Sequence, residues 1–414
     1  MTGEPAKPLP AVLALDAGNS KTDAALVAAD GTLLASARGP GVPSMLTREQ
    51  AIDVLASLAR LVTGNAGVPA APAGQPVAEH VSACVANADL PEEEEEVSAG
   101  LRARGLASSI EVANDTFAVL RAGLDDSGAH WGVGVTCGAG INCVGVAPDG
   151  RITRFLSLGP TSGDWGGGYS LGVDAFFWAI RAEDGRGPQT ALREAVAAHF
   201  GLASMYDVAV AMHKGKLGWE APLGLVRVLF EVAASQDAVA LDILRRQAGE
   251  VCVMAVTAMR RLGLEDQPVR VALGGGVLAA RDPLLTAEIT KRLAGEAPLA
   301  EPRIVDVPPV AGAALLGLDR IGAPPAAYAR LRDAYRAASR RGPGQQVAGD
   351  RHRRGDIQRV HPAAHRDPHR DVGLIPPPGR EALPLGPEQQ REPVLRPGRD
   401  VADRRRARRR GERE

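Results

Sequence analysis

The chain has 414 residues, 45% of them hydrophobic, and a formal net charge of −1, so it is long enough for two domains of ordinary size. Charged residues interrupt the apolar runs every few positions, which excludes a membrane-spanning segment and predicts a protein without membrane partners. The N-terminal extension 1–10 holds an acid and three prolines. We therefore expect no secretory signal and a cytoplasmic protein.

In chain order, runs of Val, Ile and Ala bounded by Gly, Asp or Pro predict strands, and apolar residues at helical spacing predict helices. The predicted strands cover residues 11–15, 24–28, 32–36, 77–85, 109–113, 131–136, 142–147, 151–156 and 269–273. The predicted helices cover residues 48–63, 92–103, 115–123, 170–182, 189–199, 221–233, 236–262, 283–294 and 310–320. This mixture is typical of the α/β class.

The first predicted strand ends in a carboxylate, Asp16, within the stretch LDAGNSKTD. The turn that follows contains Gly18, Asn19, Ser20, Lys21 and Thr22. Backbone N–H groups of such a turn can bind an anion, and the hydroxyl groups add donors. A carboxylate beside phosphate is repulsive unless Mg²⁺ lies between them. The alternative is an ordinary tight turn, and the spacing matches neither a Walker A loop nor a dinucleotide-binding fingerprint.

An internal repeat supports the first interpretation. Asp30-Gly31 and Asp149-Gly150, which are 119 positions apart (149 − 30), each follow a turn of small residues and an apolar strand. Asp-Gly is a strong hairpin signal, so the chain contains two similar hairpin units. The second turn, in VTCGAGINC, offers Thr136, Gly138 and Gly140 to a phosphate. Two such turns facing each other could hold a polyphosphate from both sides.

Two aspartates between and after these turns are candidates for acceptor chemistry. Asn114 and Asp115 end a predicted strand and begin a helix, where Asp115 could cap the helix or accept a proton from a substrate hydroxyl. Asp164 lies in the glycine-dense loop GPTSGDWGGGYSLG, suited to hydrogen bonds with sugar hydroxyls. The neighbouring Trp165 could stack on a sugar or pack under the loop. Further along, Gly274, Gly275 and Gly276 would let the backbone approach a nucleoside.

The cysteines are predicted to be buried, whereas the C-terminal tail is predicted to be disordered. The spacing of Cys84, Cys137, Cys143 and Cys252 indicates buried free thiols rather than a zinc site or disulfides. Residues 340–414 hold 19 arginines against 11 acids, or +8, which leaves −9 for the rest of the chain. This tail lacks aromatic residues, so we expect disorder rather than a nucleic-acid-binding arm. The chain prefers Arg over Lys and is rich in Ala, Gly and Pro, which is typical of a GC-rich gene, so a frameshift product is one hypothesis for the tail.

The ordered set LALDAGNSKTD, NDTFAVL, GVTCGAGINC, GDWGGGY, LGGGV and PPVAGAALLGL resembles the N-acetylglucosamine kinase branch of the BadF/BadG/BcrA/BcrD ATPase family, over residues 11–322. The resemblance implies an actin-like ATPase fold, in which two ribonuclease H-like domains enclose ATP and Mg²⁺. The domains would cover 11–121 and 122–322, the second with a helical insertion. A terminal helix at 323–339 and the tail at 340–414 would follow.

The resemblance also implies roles for individual residues. Asp16 would organise Mg²⁺ through water, and Asp115 would be the catalytic base. The turn at 18–22 and the loop with Thr136, Gly138 and Gly140 would bind phosphates, and 274–276 would line the nucleoside. Asn114, Asp115 and Asp164 would contact the sugar. The branch commonly has an asparagine in the loop RGPGVPSML, where this chain offers Ser44, and often Gly-Asp-Glu where this chain has Gly-Asp-Trp.

The implied function is transfer of the ATP γ-phosphate to an amino sugar, with N-acetylglucosamine and its 6-hydroxyl as first expectation, by a homodimer. Two alternatives remain at this stage. One is an ATPase activator of a 2-hydroxyacyl-CoA dehydratase or benzoyl-CoA reductase, which needs exposed cysteines for a [4Fe–4S] cluster. The other is a non-catalytic nucleotide or sugar sensor, for which loss of Asp16 or Asp115 would have been expected.

Overall fold

The computed structural model describes residues 10–67, 76–126 and 130–340, so the expectations for segment 1–9 and for the tail beyond residue 340 lie outside the described residues. The first part of the chain forms a five-stranded sheet with helices on its faces. Its elements are β1 (Val12–Ala17), β2 (Lys21–Val27), β3 (Leu33–Pro40), α1 (Arg48–Asn65), β4 (His80–Val85), α2 (Pro91–Ala103) and β5 (Ser109–Asn114). No helix of the described ranges is both long and apolar enough to cross a membrane.

The strand order in this first sheet is β3-β2-β1-β4-β5. β1 and β2 form an antiparallel hairpin that β3 extends, whereas β4 and β5 run parallel to β1. Every residue of β1 and β4 is buried, as expected for central strands covered on both faces. β3 alternates between half-buried and exposed residues, as an edge strand does. The parallel strands therefore end together at one edge of the sheet.

A second sheet repeats this plan. Its strands are β6 (Gly132–Cys137), β7 (Ile141–Val146), β8 (Ile152–Arg154), β9 (Val269–Gly274) and β10 (Ala300–Ile304). The order is β10-β9-β6-β7-β8, with an antiparallel β6-β7-β8 meander and with β9 and β10 parallel to β6. β6 therefore corresponds to β1 and β9 to β4. The two-sheet α/β fold predicted from the repeated hairpins is confirmed.

Helices between β8 and β10 supply the core of the second half. They are α4 (Gly167–Glu183), α5 (Leu192–His199), α6 (Met205–His213), α7 (Val226–Ala234), α8 (Ala238–Leu262), α9 (Gly276–Ala279) and α10 (Pro283–Glu296). Short 3₁₀ helices occupy Gly159–Ser162 and Ala221–Leu225. The sequence did not predict α6, α9 or the edge strand β10. The buried apolar residues of α8, the longest helix in the described ranges, belong to the same cluster as those of β6.

Two helices cross between the two halves. α3 (Asp115–Gly123) leaves β5 and buries Leu120 against Ala272 of the second sheet. α11 (Pro309–Arg320) leaves the second sheet and returns to the first, where it shares an apolar cluster with β1. The helices touch so closely that a β-carbon on Gly312 would lie 1.9 Å from the carbonyl oxygen of Ala118. The domain boundaries expected between residues 121 and 122 and between residues 322 and 323 stay predictions. α11, which was assigned to the second domain, packs on the first sheet.

The terminal helix α12 (Pro325–Arg340) contacts the C-terminal end of α3. Its Arg332 is buried and donates hydrogen bonds to the carbonyl oxygens of Ala122 (2.7 Å) and Leu124 (2.6 Å) and to the carboxylate of Asp126 (3.0 Å). A cation at the C-terminal end of α3 satisfies carbonyl groups that the helix itself leaves unpaired. The N-terminal end of α3, which carries Asp115, is thereby held in place from its opposite end.

Candidate active site

Three adjoining cavities lie at the carboxyl ends of the central strands. The inner cavity has a volume of about 570 Å³, and its lining includes Asp16, Gly18, Ser20, Asp115, Thr136 and Gly276. The junction has about 110 Å³, and its lining includes Asn19, Asp89, Asp115, Gly140, Asn142 and Ser157. The outer cavity has about 570 Å³, and its lining includes Ser44, Arg48, Asn87, Asp89, Glu93 and Glu96. Ligands commonly bind at this edge of an α/β sheet.

The turn between β1 and β2 forms one wall of the inner cavity. The Gly18 N–H donates to the carbonyl oxygen of Lys21 (2.9 Å), and the Gly18 carbonyl accepts from Val42 N–H (2.9 Å). Asn19, Ser20 and Lys21 line the cavity, as predicted for a phosphate loop. Thr22, predicted with them, is fully buried in β2 and is not among the residues that line the cavity.

The loop between β6 and β7 forms the facing wall. Its Gly138 N–H donates to the Gly140 carbonyl (2.9 Å), and the first turn of α4 braces it from behind, with Gly168 N–H donating to Gly138 (2.8 Å). Gly167 approaches so closely, at φ +79°, that a β-carbon would lie 2.4 Å from the Gly140 carbonyl group. The Thr136 hydroxyl oxygen is buried without a hydrogen-bond partner, beside both the inner cavity and the junction. The two predicted loops therefore face one cavity.

Two carboxylates share the inner cavity. Asp16 is 8% exposed, and burial together with the charges of Asp115 and Asp23 raises its pKa to about 8. Burial also raises the pKa of Asp115 to about 6. Such a pair of carboxylates, one buried and one half-buried, is costly without a cation or a shared proton. The electrostatics therefore suit a cation at Asp16 and a proton acceptor at Asp115.

The sequence left open whether Asp115 merely caps α3. The structure gives that role to Asn114, whose side-chain oxygen accepts from the N–H of Thr116 at 2.9 Å. Asp115 is the first residue of α3 and lines both the inner cavity and the junction. Its carboxylate is therefore available to a ligand group that reaches the boundary between the two cavities.

A basic cluster stands behind the first loop. The Arg38 guanidinium donates to Asp23 at 2.6 Å, and the Lys21 ammonium pairs with the same carboxylate. Burial alone would raise the pKa of Asp23, but these two partners outweigh it and hold that pKa below its usual value. Lys21 also lines the inner cavity, so it places a positive charge beside a loop that is suited to hold an anion.

The three glycines predicted to line a nucleoside, residues 274–276, do not all reach the inner cavity. Gly275 and Gly276 line the inner cavity, and Gly275 has φ +85° with its α-carbon against the backbone of Cys137, where a side chain would not fit. Gly274 instead ends β9 and faces Val119 of α3, 2.5 Å from a would-be β-carbon. Only two of the three predicted glycines are therefore in a position to approach a ligand in this cavity.

On the predicted sugar side, Ser44 lines the outer cavity. Asp164 lines none of the three cavities described above, and its carboxylate accepts a hydrogen bond from Ser162. Trp165 packs against the core of the second half, with the Arg246 guanidinium 3.7 Å above its ring, which supports packing over sugar stacking. The role of Asp164 as a sugar ligand stays a prediction.

Residues that the sequence interpretation missed connect the cavities. Asp89 accepts from the Asn114 side-chain amide (2.8 Å), and the Asn142 amide donates to the Asn114 side-chain oxygen (3.1 Å). Burial, followed by the charge of Asp115, raises the pKa of Asp89 to about 7. Asn87 and Ser157 line both the junction and the outer cavity in left-handed conformations, at φ 61° and 53°. The polar segment after β4 could have indicated these residues in the sequence. β4 lies beside β1 and parallel to it, so the two strands end at the same edge of the sheet.

Known proteins match most of the chain. The model of the BadF/BadG/BcrA/BcrD ATPase family matches residues 13–317. An N-acetylmuramic acid/N-acetylglucosamine kinase of Clostridium acetobutylicum is 27% identical over 270 residues, or 64% of this chain and 85% of the relative. An N-acetyl-D-glucosamine kinase of Dictyostelium discoideum is 28% identical over 218 residues, or 52% of this chain and 67% of the relative.

Solved structures resemble the chain in fold. A candidate N-acetylglucosamine kinase from Chromobacterium violaceum matches with a TM-score of 0.58 and 22% identity, over 75% of this chain and 99% of its own. Another from Porphyromonas gingivalis matches with a TM-score of 0.54 and 19% identity, over 74% and 98%. These structural matches share the fold, and the family model covers both sheets and the crossing helices. The chain belongs to the BadF/BadG/BcrA/BcrD ATPase family.

Proposed function

We propose that the chain is an ATP-dependent kinase that transfers the γ-phosphate to an amino sugar, with the 6-hydroxyl of N-acetylglucosamine as the first candidate acceptor. The observation that carries the proposal is the position of Asp115, on the wall shared by the inner cavity and the junction. The kinase activities named for the Clostridium and Dictyostelium relatives support the same reaction. The inner cavity would hold ATP, and the junction and outer cavity would hold the sugar.

The proposed transfer needs few chemical groups. The Asp115 carboxylate accepts the proton of the sugar hydroxyl, whose oxygen forms a bond to the γ-phosphorus while the bond from phosphorus to the β,γ-bridging oxygen breaks. ADP leaves with the electron pair of that bond. Backbone N–H groups of the two loops, the Thr136 hydroxyl and Lys21 would hold the phosphates in line with the acceptor.

Mg²⁺ fits the residues present. Burial, followed by the charges of acidic neighbours, raises the pKa of Asp16, and a divalent cation offsets both effects. The described ranges contain no group of three or more His, Cys, Asp or Glu residues that could hold a metal ion. Mg²⁺ commonly binds through one or two carboxylates, waters and substrate phosphates, so Asp16 alone is an adequate protein contact. Held there, Mg²⁺ would neutralise charge on the phosphates.

The activator ATPase fits less well. All four cysteines are buried. Burial raises the pKa of Cys137 and of Cys252 to about 12 and raises that of the other two above the usual range. A cluster shared between two subunits needs exposed, readily ionised thiols.

We also propose that the active protein is a cytoplasmic homodimer, on the basis of the family resemblance.

The test is ADP release with Mg²⁺-ATP across a panel of hexoses and hexosamines, with mass spectrometry of the products. The proposal predicts ADP release that depends on an amino sugar, with one phosphosugar formed for each ADP. ADP release that is independent of sugar would contradict it and favour the activator ATPase. No ADP release with any sugar would favour the sensor.

A further inference from the structure

The outer cavity carries an unbalanced charge. Its lining has three carboxylates, those of Asp89, Glu93 and Glu96, and one cationic side chain among the described residues, that of Arg48. The formal charge of the lining is therefore −2 when Asp89 is ionised and −1 when it is protonated. The remaining lining is neutral and includes Ser44 and Asn87.

Arg48 is already engaged by these acids. Its guanidinium pairs with Glu93 at 3.0 Å and with Glu96 at 3.4 Å, and it donates to the Asn87 carbonyl at 3.2 Å. The other Glu93 oxygen accepts from the backbone N–H groups of Asp89 (2.8 Å) and Leu90 (3.1 Å) at the start of α2. The charge of the guanidinium is therefore already offset by these acids, and an anionic ligand would share it with them.

Other features mark the same wall as a ligand surface. Ser157 faces both the junction and the outer cavity, and its hydroxyl oxygen is buried without a hydrogen-bond partner. Its left-handed backbone, like that of Asn87, is a strained conformation that proteins retain at functional sites. Asp89 joins this wall to Asp115 through the junction, which both residues line. A sugar bound there would meet acceptors and unpaired hydroxyl groups rather than free cations.

Resting on the proposed function, we propose that the outer cavity selects its acceptor by charge: it accepts hexosamines with a neutral amide or a cationic amine and rejects those that carry a carboxylate. N-acetylmuramic acid, which is named in the description of the Clostridium relative, is therefore a poor acceptor for this chain. The physical reason is that a carboxylate entering the cavity loses water and gains acidic neighbours.

The test compares N-acetylmuramic acid with its methyl ester, which has the same lactyl branch without the charge. We expect kcat/KM for the ester to exceed that for the acid by about tenfold or more, the scale of one or two charges acting through a partly solvated cavity. N-acetylglucosamine is the control for the proposed function. If neither it nor any other hexosamine is phosphorylated, the kinase proposal fails and this inference fails with it.

With N-acetylglucosamine or another hexosamine active, every remaining outcome decides the inference. Equal turnover of acid and ester, or preference for the acid, overturns it. Rejection of both shows that bulk rather than charge excludes the branch, and also overturns it.

A pair of variants tests the residues. Glu96 lines the cavity with a side chain that is 62% exposed, and Glu95 is an exposed neighbour on α2 that lies outside the lining. Glu96→Gln should raise the acid-to-ester ratio of kcat/KM by about threefold or more, because it removes a charge and frees Arg48. Glu95→Gln changes the net charge equally and should leave the ratio at the wild-type value. A shift of equal size in both variants would contradict the assignment.

Discussion

Replacing Gly312 with alanine should force apart the two helices that connect the halves of the protein. The new β-carbon would lie 1.9 Å from the Ala118 carbonyl oxygen, whereas ordinary contact begins at 3.4 Å. The separation must therefore grow by about 1.5 Å, the difference between these two distances. The obstructing atoms all belong to the backbone of Ala118 in α3, so no side chain can rotate away.

The expected cost is at the upper end of the range for overpacked sites, about 3 kcal/mol of unfolding free energy. For a chain of this size about 2 °C of Tm corresponds to 1 kcal/mol, so Tm should fall by about 6 °C. The assay is thermal unfolding followed by circular dichroism, with urea unfolding as a second measure of stability.

Gly295 provides the matched control. It lies in α10, and a β-carbon there would have nothing within 4 Å. Alanine at this position should stabilise the helix by up to about 1 kcal/mol. The reasoning is refuted if Gly312→Ala unfolds within 1 °C of the wild type, a margin of about half a kcal/mol, or shifts in the same direction and amount as Gly295→Ala.

Three further predictions concern the ionisation of Asp115, the reactivity of the cysteines and the residues beyond α12. Because Asp115 must be ionised to accept a proton and burial raises its pKa to about 6, kcat/KM should fall about tenfold per pH unit as the pH drops below 6; a flat profile down to pH 5 would contradict this role. The four buried cysteines should react with a thiol reagent at pH 8 only after denaturation, and rapid labelling of the native protein would contradict their burial. Since α12 ends at Arg340 and its Leu331 belongs to the apolar cluster that α11 shares with β1, a chain ending at residue 340 should retain its Tm and activity, and loss of either would show that later residues are required.

Local patterns predicted much of the fold. The hairpins β2-β3 and β7-β8 follow from apolar strands that end in Asp-Gly turns, and α3 follows from a strand ending in Asn-Asp before an apolar helix. The edge strand β10 was missed because its sequence, AEPRI, has a proline and two charges and little apolar signal. The helix α9 has only four residues, too few for a periodic pattern.

The sequence predicted those site residues that lie at or just after the ends of strands. Asp16 lies at the end of β1, the first loop follows β1, and Asp115 follows β5; the structure brings all of them to one cavity. Asp89 was missed because its importance depends on the Asn114 amide, which is 25 positions away and reaches it only in the folded sheet. Thr22 and Gly274 match the motif but face the interior, since strand alternation turns them away from the cavity.

The most direct test of the central claim is a single-turnover measurement of phosphoryl transfer from Mg²⁺-ATP to N-acetylglucosamine by the wild type and by Asp115→Asn, with calorimetry of ATP and sugar binding. The account predicts that both ligands bind the variant within a few-fold of the wild type while transfer slows by about 10² to 10⁴-fold, because only the proton acceptor is lost. Transfer at the wild-type rate in a folded variant that binds both ligands would contradict Asp115 as the catalytic base.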